Sequence, residues 1–248
     1  MQILIPMCGT GSRFSQAGYS DPKPWIDVNG KPMIWRVLEN FGWNNQYILV
    51  VQKSQLSDYS EQVALLRKQC VHPISMIVTD SPTQGAAESC LLASEAVCMV
   101  EPLIIANCDQ IFSWDQTVFE TWANAAYDGK MDGAIFVFPR PQVNSQAYSY
   151  AKVDDNELVV STAEKEVISD LATTGVHYWA QAHDFFRAAR QMISKDIRTN
   201  GEFYIAPVYN ENIAQEAKIG VWHVAEHWPI GTPEDLQAYL AHSQGLPQ

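Results

Sequence analysis

Long apolar runs are missing from this chain of 248 residues. None approaches the roughly twenty apolar residues that cross a bilayer, so no membrane span is expected. Basic residues are scarce: 16 Lys and Arg stand against 28 Asp and Glu, a formal net charge of −12. That balance argues against a nucleic-acid-binding surface, and it leaves any anionic ligand to a few local cations. The five cysteines (Cys8, Cys70, Cys90, Cys98 and Cys108) are odd in number and lack C-x-x-C spacing. A disulfide framework or a zinc site fits them poorly; reduced thiols in a cytoplasm fit better. The six histidines show no metal-ligand spacing, and no hydrolytic triad can be assembled. The N-terminus enters strand-like sequence at once, without a basic n-region or a cleavage site, so an exported form is not expected. Repeats, low-complexity tracts and linkers are absent too, and one domain over residues 1–248 is the expectation.

What is present alternates. Strand-like runs at residues 2–6, 47–51, 74–78, 103–106 and 133–138 are separated by helical patterns at 33–41, 61–70, 86–98 and 114–127. Met33, Ile34, Val37, Leu38 and Phe41 share one face at a 3.6-residue period. Such alternation implies βαβ units and a mainly parallel sheet, with ligands gathered at the carboxyl ends of the strands. The second half is more mixed. A hairpin spans 148–153 and 158–161 with its turn at 154–156, followed by a strand at 174–179, a helix over 185–193 and a last strand at 219–224. Thr232 and Pro233 then read as an N-cap and a first helical residue.

The first 34 residues carry the strongest chemical signal. An apolar run opens into Gly9-Thr10-Gly11-Ser12-Arg13, then come Lys23-Pro24, an Asn29-Gly30 turn and Lys31-Pro32. A strand breaking into glycines offers free backbone N–H groups at its carboxyl end, which suits phosphate oxygens. Arg13 and Lys23 would add the positive charge that a triphosphate requires. Two glycines after a strand mark little more than a tight turn, but G-x-G-x-R, then K-P, then V-N-G-K-P is far more specific. The combination resembles the N-terminal signature of the nucleotidyltransferases that activate sugar phosphates and related phosphorylated small molecules with a nucleoside triphosphate.

The resemblance implies an α/β, Rossmann-like three-layer domain with a mainly parallel mixed sheet and an inserted hairpin region for the acceptor. Its nucleotide-binding half would be 1–138 and its acceptor-binding half 139–248. Met7, Gly9, Gly11 and Ser12 would form the nucleotide loop, with Arg13 and Lys23 as its catalytic cations. Asp109, after the apolar run 103–106, would hold Mg²⁺ between the phosphates, oriented by Asn107. In Asp80–Ser89, Gln84 and Gly85 would meet the base. Glu164-Lys165 and Ala172-Thr173-Thr174-Gly175 resemble the family's E-K and N-T-G pair. Lys165 would then meet the acceptor phosphate, and Glu164, Thr174 and Gly175 its hydroxyls, with Glu202 a further candidate. Partners would be a nucleoside triphosphate and a phosphorylated acceptor, with no nucleic acid or membrane. The resemblance leaves room for a homodimer. Cys8 and Cys108 read as small buried residues at strand ends.

The match departs from the family near its end. Many relatives carry D-x-G-T, whose Asp is a second metal ligand, but here Pro229 precedes Ile230-Gly231-Thr232. Glu226 is the nearest carboxylate and the candidate second ligand. The variants IPMCGTGSRF and TQGAAES resemble small bacterial enzymes of capsule or surface-polymer synthesis, some of which use CTP and accept non-sugar phosphates. Two other readings stay open: a glycosyltransferase of related architecture, and a nucleotide-binding regulatory domain without catalysis. Neither the base nor the acceptor can be named from these residues.

Overall fold

A computed structural model describes residues 1–9, 11–126, 131–141 and 145–244. Thr10 of the glycine loop and the expected last helical residue, Tyr127, lie outside the described residues. The first half runs β1 (Gln2–Pro6), α1 (Ser12–Gln16), α2 (Met33–Phe41), β2 (Gln46–Gln52), α3 (Lys53–Asp58), α4 (Ser60–Gln69), β3 (Ser75–Thr79), α5 (Ala86–Leu91), β4 (Leu103–Ala106), β5 (Gln110–Phe112), α6 (Gln116–Ala126) and β6 (Gly133–Pro139). The second half runs β7 (Ser149–Val153), β8 (Val159–Glu164), β9 (Leu171–Trp179), α7 (Ala182–Ser194), α8 (Val208–Ile213), β10 (Ile219–His223), β11 (His227–Pro229) and α9 (Pro233–Ser243).

Among the described residues nine strands form one sheet, ordered β10-β6-β9-β4-β1-β2-β3, with the β7–β8 hairpin joined through β9. β1 is parallel to β2 and β4, β2 to β3, and β6 to β10; β9 runs antiparallel between β4 and β6. This is the Rossmann-like α/β arrangement with a mixed, mainly parallel sheet. Side-chain alternation along the buried strands divides the core in two. Leu4, Ile48 and Ile105 face a layer holding Ala87, Phe185, Phe186 and Val208 from α5, α7 and α8. Ile3, Ile5, Leu49 and Ile104 face the opposite layer, which holds Val37, Leu38, Phe41, Val63, Leu66 and Phe119 from α2, α4 and α6. All five residues of the expected α2 face are buried.

Several elements differ from the sequence expectation. The helix expected over 86–98 ends at Leu91, because the amides of Leu92, Ala93 and Ser94 bond back three residues, to Ser89, Cys90 and Leu91. α3 was not foreseen. It starts from a reciprocal cap in which Gln52 and Gln55 satisfy each other's backbone N–H groups, a polar signal rather than an apolar period. The β5–β11 pair was not foreseen either; it joins three-residue strands far apart in sequence. The hairpin turn and the Thr232 cap appear where expected. Asp154 Oδ1 accepts from the N–H groups of Asn156 and Leu158, and Thr232 Oγ1 from that of Asp235.

Candidate active site

The glycine loop is held open from beneath. Where β1 ends, the carbonyls of Met7 and Cys8 accept from the side-chain amides of Gln55 and Gln52, at 3.2 and 2.6 Å. Both glutamines belong to the α3 cap, so an element invisible to hydrophobic periodicity fixes the loop's base. Gly9 lines the cleft, and a Cβ there would meet nothing within 4 Å. Gly11 does a different job. Its φ of +61° lies in the left-handed region, and a Cβ would stand 3.2 Å from that of Lys23. Glycine there lets the Lys23 segment close over the loop.

Lys23 Nζ lies 2.7 Å from Asp109 Oδ2, with side chains 24% and 13% exposed. Burial disfavours the ammonium, but the Asp109 carboxylate and the nearby Cys108 together outweigh it and raise the Lys23 pKa above the usual lysine value. The β5–β11 pair frames the aspartate from its other side. Gln110 sits opposite Pro229 in the register, and Ile230 N–H donates to the Asp109 carbonyl at 2.9 Å. A Cβ on Gly231 would fall 2.4 Å from Asp109 Oδ2. The carboxylate is thus wedged between a lysine and a glycine backbone at the end of β4.

Two polar cavities meet there. One, of about 240 Å³, is lined by Met7, Gly9, Lys23, Gly85, Asn107, Asp109 and Glu202, with Cys8 and Cys108 among its buried neighbours. The other, of about 260 Å³, is lined by Arg13, Glu164, Lys165, Gly175, Asn107 and Asp109. Ala86, Asn107, Asp109 and Tyr204 belong to both. Asn107 is fixed by close packing: Gly175 has a φ of +79°, a Cβ there would strike Asn107 Nδ2 at 2.3 Å, and the Gly175 carbonyl accepts the Asn107 N–H at 3.1 Å.

On the second cavity's wall, Ser149 Oγ donates to Glu164 Oε2, and burial pushes the Glu164 carboxyl upward in pKa. Lys165 sits at φ +58° and turns its Nζ onto the Tyr204 hydroxyl and over the Tyr204 ring, 4.5 Å from its centroid. Tyr204 is a residue the sequence reading passed over, though it follows Glu202 by two positions. Burial, followed by Glu202, raises the Tyr204 phenol pKa.

Some expected residues stand elsewhere. Arg13 lines the second cavity and not the first, and Glu202, expected beside the acceptor, lines the first and not the second. Gly11 and Ser12 line neither; Gly11 serves packing and Ser12 is exposed. Gln84 is also outside both cavities, because its amide oxygen accepts from Arg198 at 2.8 Å and its amide nitrogen reaches Glu88 at 3.3 Å. Thr174 faces into the sheet and donates to the Phe136 carbonyl; strand alternation brings Thr173 to the cavity instead. Glu226 is exposed and lines neither cavity, and its carbonyl accepts from Ser113 N–H. It stands away from Asp109 because the β5–β11 register, with Pro229 opposite Gln110 and His227 opposite Phe112, carries Glu226 along to Ser113. Among the described residues no three His, Cys, Asp or Glu side chains cluster to hold a metal ion, and no helix is long and apolar enough to cross a membrane.

A Rossmann-like sheet with two joined polar cavities at its strand ends is the mark of α/β proteins that bring ligands together at that edge. Within that class the chain belongs to the nucleotidyl transferase family, whose model matches residues 3–227. The fold is shared with the nucleoside-diphosphate-sugar pyrophosphorylase from Vibrio cholerae RC9, at 24% identity and a TM-score of 0.79 over 96% of this chain and 99% of that one. A UDP-glucose pyrophosphorylase complexed with UDP-glucose matches at 17% identity and a TM-score of 0.77, over 98% of both chains. The inositol-1-phosphate CTP transferase from T. maritima matches at 14% identity and a TM-score of 0.71, over 100% of this chain and 98% of that one. Among curated proteins none matches the sequence.

Proposed function

We propose that this nucleotidyltransferase moves a nucleoside monophosphate from a nucleoside triphosphate to a phosphorylated small molecule, releasing pyrophosphate. The observation that carries the reading is the shared wall: the Lys23–Asp109 pair stands where a loop-side cavity and a second, lysine-bearing cavity join. The triphosphate would lie along Met7 and Gly9 with Lys23 beside it, and Gly85 would face the base. The acceptor would occupy the second cavity, its phosphate near Lys165 and Arg13 and its other polar groups near Glu164, Thr173 and Gly175. An oxygen of the acceptor phosphate attacks the α-phosphorus in line. One P–O bond forms, the bond from the α-phosphorus to the bridging oxygen breaks, and pyrophosphate leaves with that oxygen. The attacking oxygen is already anionic, so no general base is required. Catalysis reduces to positioning two anions and offsetting their repulsion.

The family implies Mg²⁺, and the donor set suits it. Mg²⁺ is commonly held by one or two carboxylates together with substrate phosphates and water. Asp109 supplies a carboxylate oxygen at the junction, so a triphosphate would complete the shell without Glu226. Bound there, the ion would neutralise charge on the phosphates. Lys23 would then release Asp109 and turn its ammonium to the phosphate chain. The activities of the structural neighbours favour a sugar 1-phosphate or a similar acceptor, and the IPMCGTGSRF and TQGAAES variants favour a bacterial capsule or surface-polymer setting.

The test is pyrophosphate release from ATP, CTP, GTP, TTP and UTP, each with glucose 1-phosphate and inositol 1-phosphate, with and without Mg²⁺. Thermal shift with each nucleotide ranks the bases beforehand, since binding to the folded state stabilises it. Metal-dependent release with one nucleotide and loss of turnover in Asp109→Asn are expected. No release from any pair, or full activity of Asp109→Asn, would reject the assignment.

A further inference from the structure

One wall of the acceptor cavity carries a group that the proposed transfer leaves unused. β9 runs along this wall with alternate residues facing in, so Thr173, Gly175 and His177 line the cavity while Val176 joins the core on the far face. His177 is 3% exposed, its ring beside Tyr209 and Trp179 with centroids 5.7 and 6.2 Å away. Its Nδ1 is buried and has no hydrogen-bond partner among the described residues. Burial keeps the ring neutral, its pKa lowered to about 3. A neutral imidazole presents one N–H and one lone pair, and an interior polar atom left without a partner is destabilising. That nitrogen is closed off, but His177 keeps a small exposed edge where it lines the cavity, and a bound molecule can meet the imidazole there. The charged work of the cavity falls to other residues: Lys165, Arg13 and Glu164 line it as well.

We propose that His177 determines acceptor specificity, its imidazole hydrogen-bonding a hydroxyl of the bound acceptor and so selecting polyhydroxylated phosphates over phosphates that carry a quaternary ammonium. The inference rests on the acceptor reading of this cavity. A trimethylammonium group has no N–H or O–H to offer, so it would leave the buried ring unsatisfied. Sites built to bond a substrate hydroxyl reject analogues that lack one for this reason.

The experiment measures pyrophosphate release by wild type, His177→Phe and His177→Gln with the preferred nucleotide. The acceptors are glucose, galactose and mannose 1-phosphates, inositol 1-phosphate and phosphocholine, then the monodeoxy analogues of the best sugar phosphate. His177→Met provides a second apolar replacement should the phenylalanine variant fail to fold. Wild type should prefer a hydroxylated acceptor by about tenfold or more in kcat/KM, and removal of one particular hydroxyl should cost it about tenfold. In the apolar variants that penalty should shrink below about twofold, the acceptor KM should rise, and the nucleotide KM should hold; Gln should restore part of the discrimination. A wild type that uses phosphocholine best, or apolar variants that keep the full deoxy penalty, would overturn the inference while leaving nucleotidyl transfer intact. Absence of release from every acceptor would instead overturn the transfer reading, and the inference with it.

Discussion

Asp109 is pressed from two sides, and the two neighbours should respond differently to substitution. Lys23→Ala removes the cation that the proposed mechanism places on the phosphates. Its kcat/KM should fall on the order of a hundredfold, about 3 kcal/mol of transition-state stabilisation. Near-native turnover would remove Lys23 from the mechanism. Gly231→Ala introduces a Cβ 2.4 Å from Asp109 Oδ2 and 3.1 Å from its Cγ, so either the carboxylate or the chain between β11 and α9 must move. Overpacking of this kind costs about 1–3 kcal/mol, and turnover should fall along with urea stability. Gly9→Ala is the contrast: the added Cβ meets nothing within 4 Å. Its unfolding midpoint should stay near wild type while nucleotide affinity drops, as isothermal titration would show. Equal stability losses in both glycine variants would mean that the cleft is not open at Gly9.

Among the elements, α9 tests how far a helix cap reaches. Thr232 Oγ1 accepts from Asp235 N–H at 3.1 Å, and Thr232 follows Gly231 directly. Thr232→Ala should cost about 1 kcal/mol in urea unfolding, the usual loss for such a cap. A variant as stable as wild type would show that tertiary packing alone sets the start of α9. This cap was legible in the sequence, as were the strands around β1 and the buried face of α2, because each is a local pattern. What escaped was long-range or polar. β5 and β11 are three residues each and gain stability from pairing across the chain. α3 rests on two glutamines bonding each other's backbone and on few apolar residues. In the candidate site, Asp109 and Lys23 were legible from a strand end and a motif. Thr173 was not, because the T-T-G triplet does not reveal which threonine faces the cavity until the register of β9 is known. Glu226 looked near enough in sequence to serve Asp109, yet the register of β11 against β5 sets it beside Ser113, exposed at the surface.

For the whole molecule, one buried imidazole fixes part of the acid response. His177 has a pKa of about 3 in the fold, lowered by burial from an ordinary 6.5. Above pH 6.5 neither the folded nor the unfolded chain protonates it appreciably. As pH falls through 6.5 the unfolded chain takes up a proton that the fold refuses, and stability is lost progressively toward pH 3. The loss runs at about 1.4 kcal/mol per pH unit once below the unfolded value. Glu164, with its carboxyl pushed up in pKa by burial, works in the opposite sense as it gains its proton. Comparison with His177→Phe isolates the histidine: between pH 7 and 5, wild type should lose about 2 kcal/mol more than the variant in urea unfolding. Equal losses would mean that the ring is hydrated and titrates normally.

The strand of chain at Phe203 is laced to the loop before α5. Phe203 N–H donates to the Gln84 carbonyl at 2.8 Å, the Phe203 carbonyl accepts from Ala87 N–H at 3.0 Å, and Gly85 lies so close that a Cβ would overlap the Phe203 backbone. The segment proposed to meet the base cannot shift without moving the one that carries Glu202 and Tyr204. Nucleotide choice and acceptor choice therefore become correlated traits under selection. A library randomised at Ile205 and Ala206, which follow Phe203 and line only the proposed acceptor cavity, and selected for a new acceptor should return clones whose ranking of the five nucleoside triphosphates has changed as well. Clones that switch acceptor while keeping the parental nucleotide ranking would show that the lacing transmits nothing.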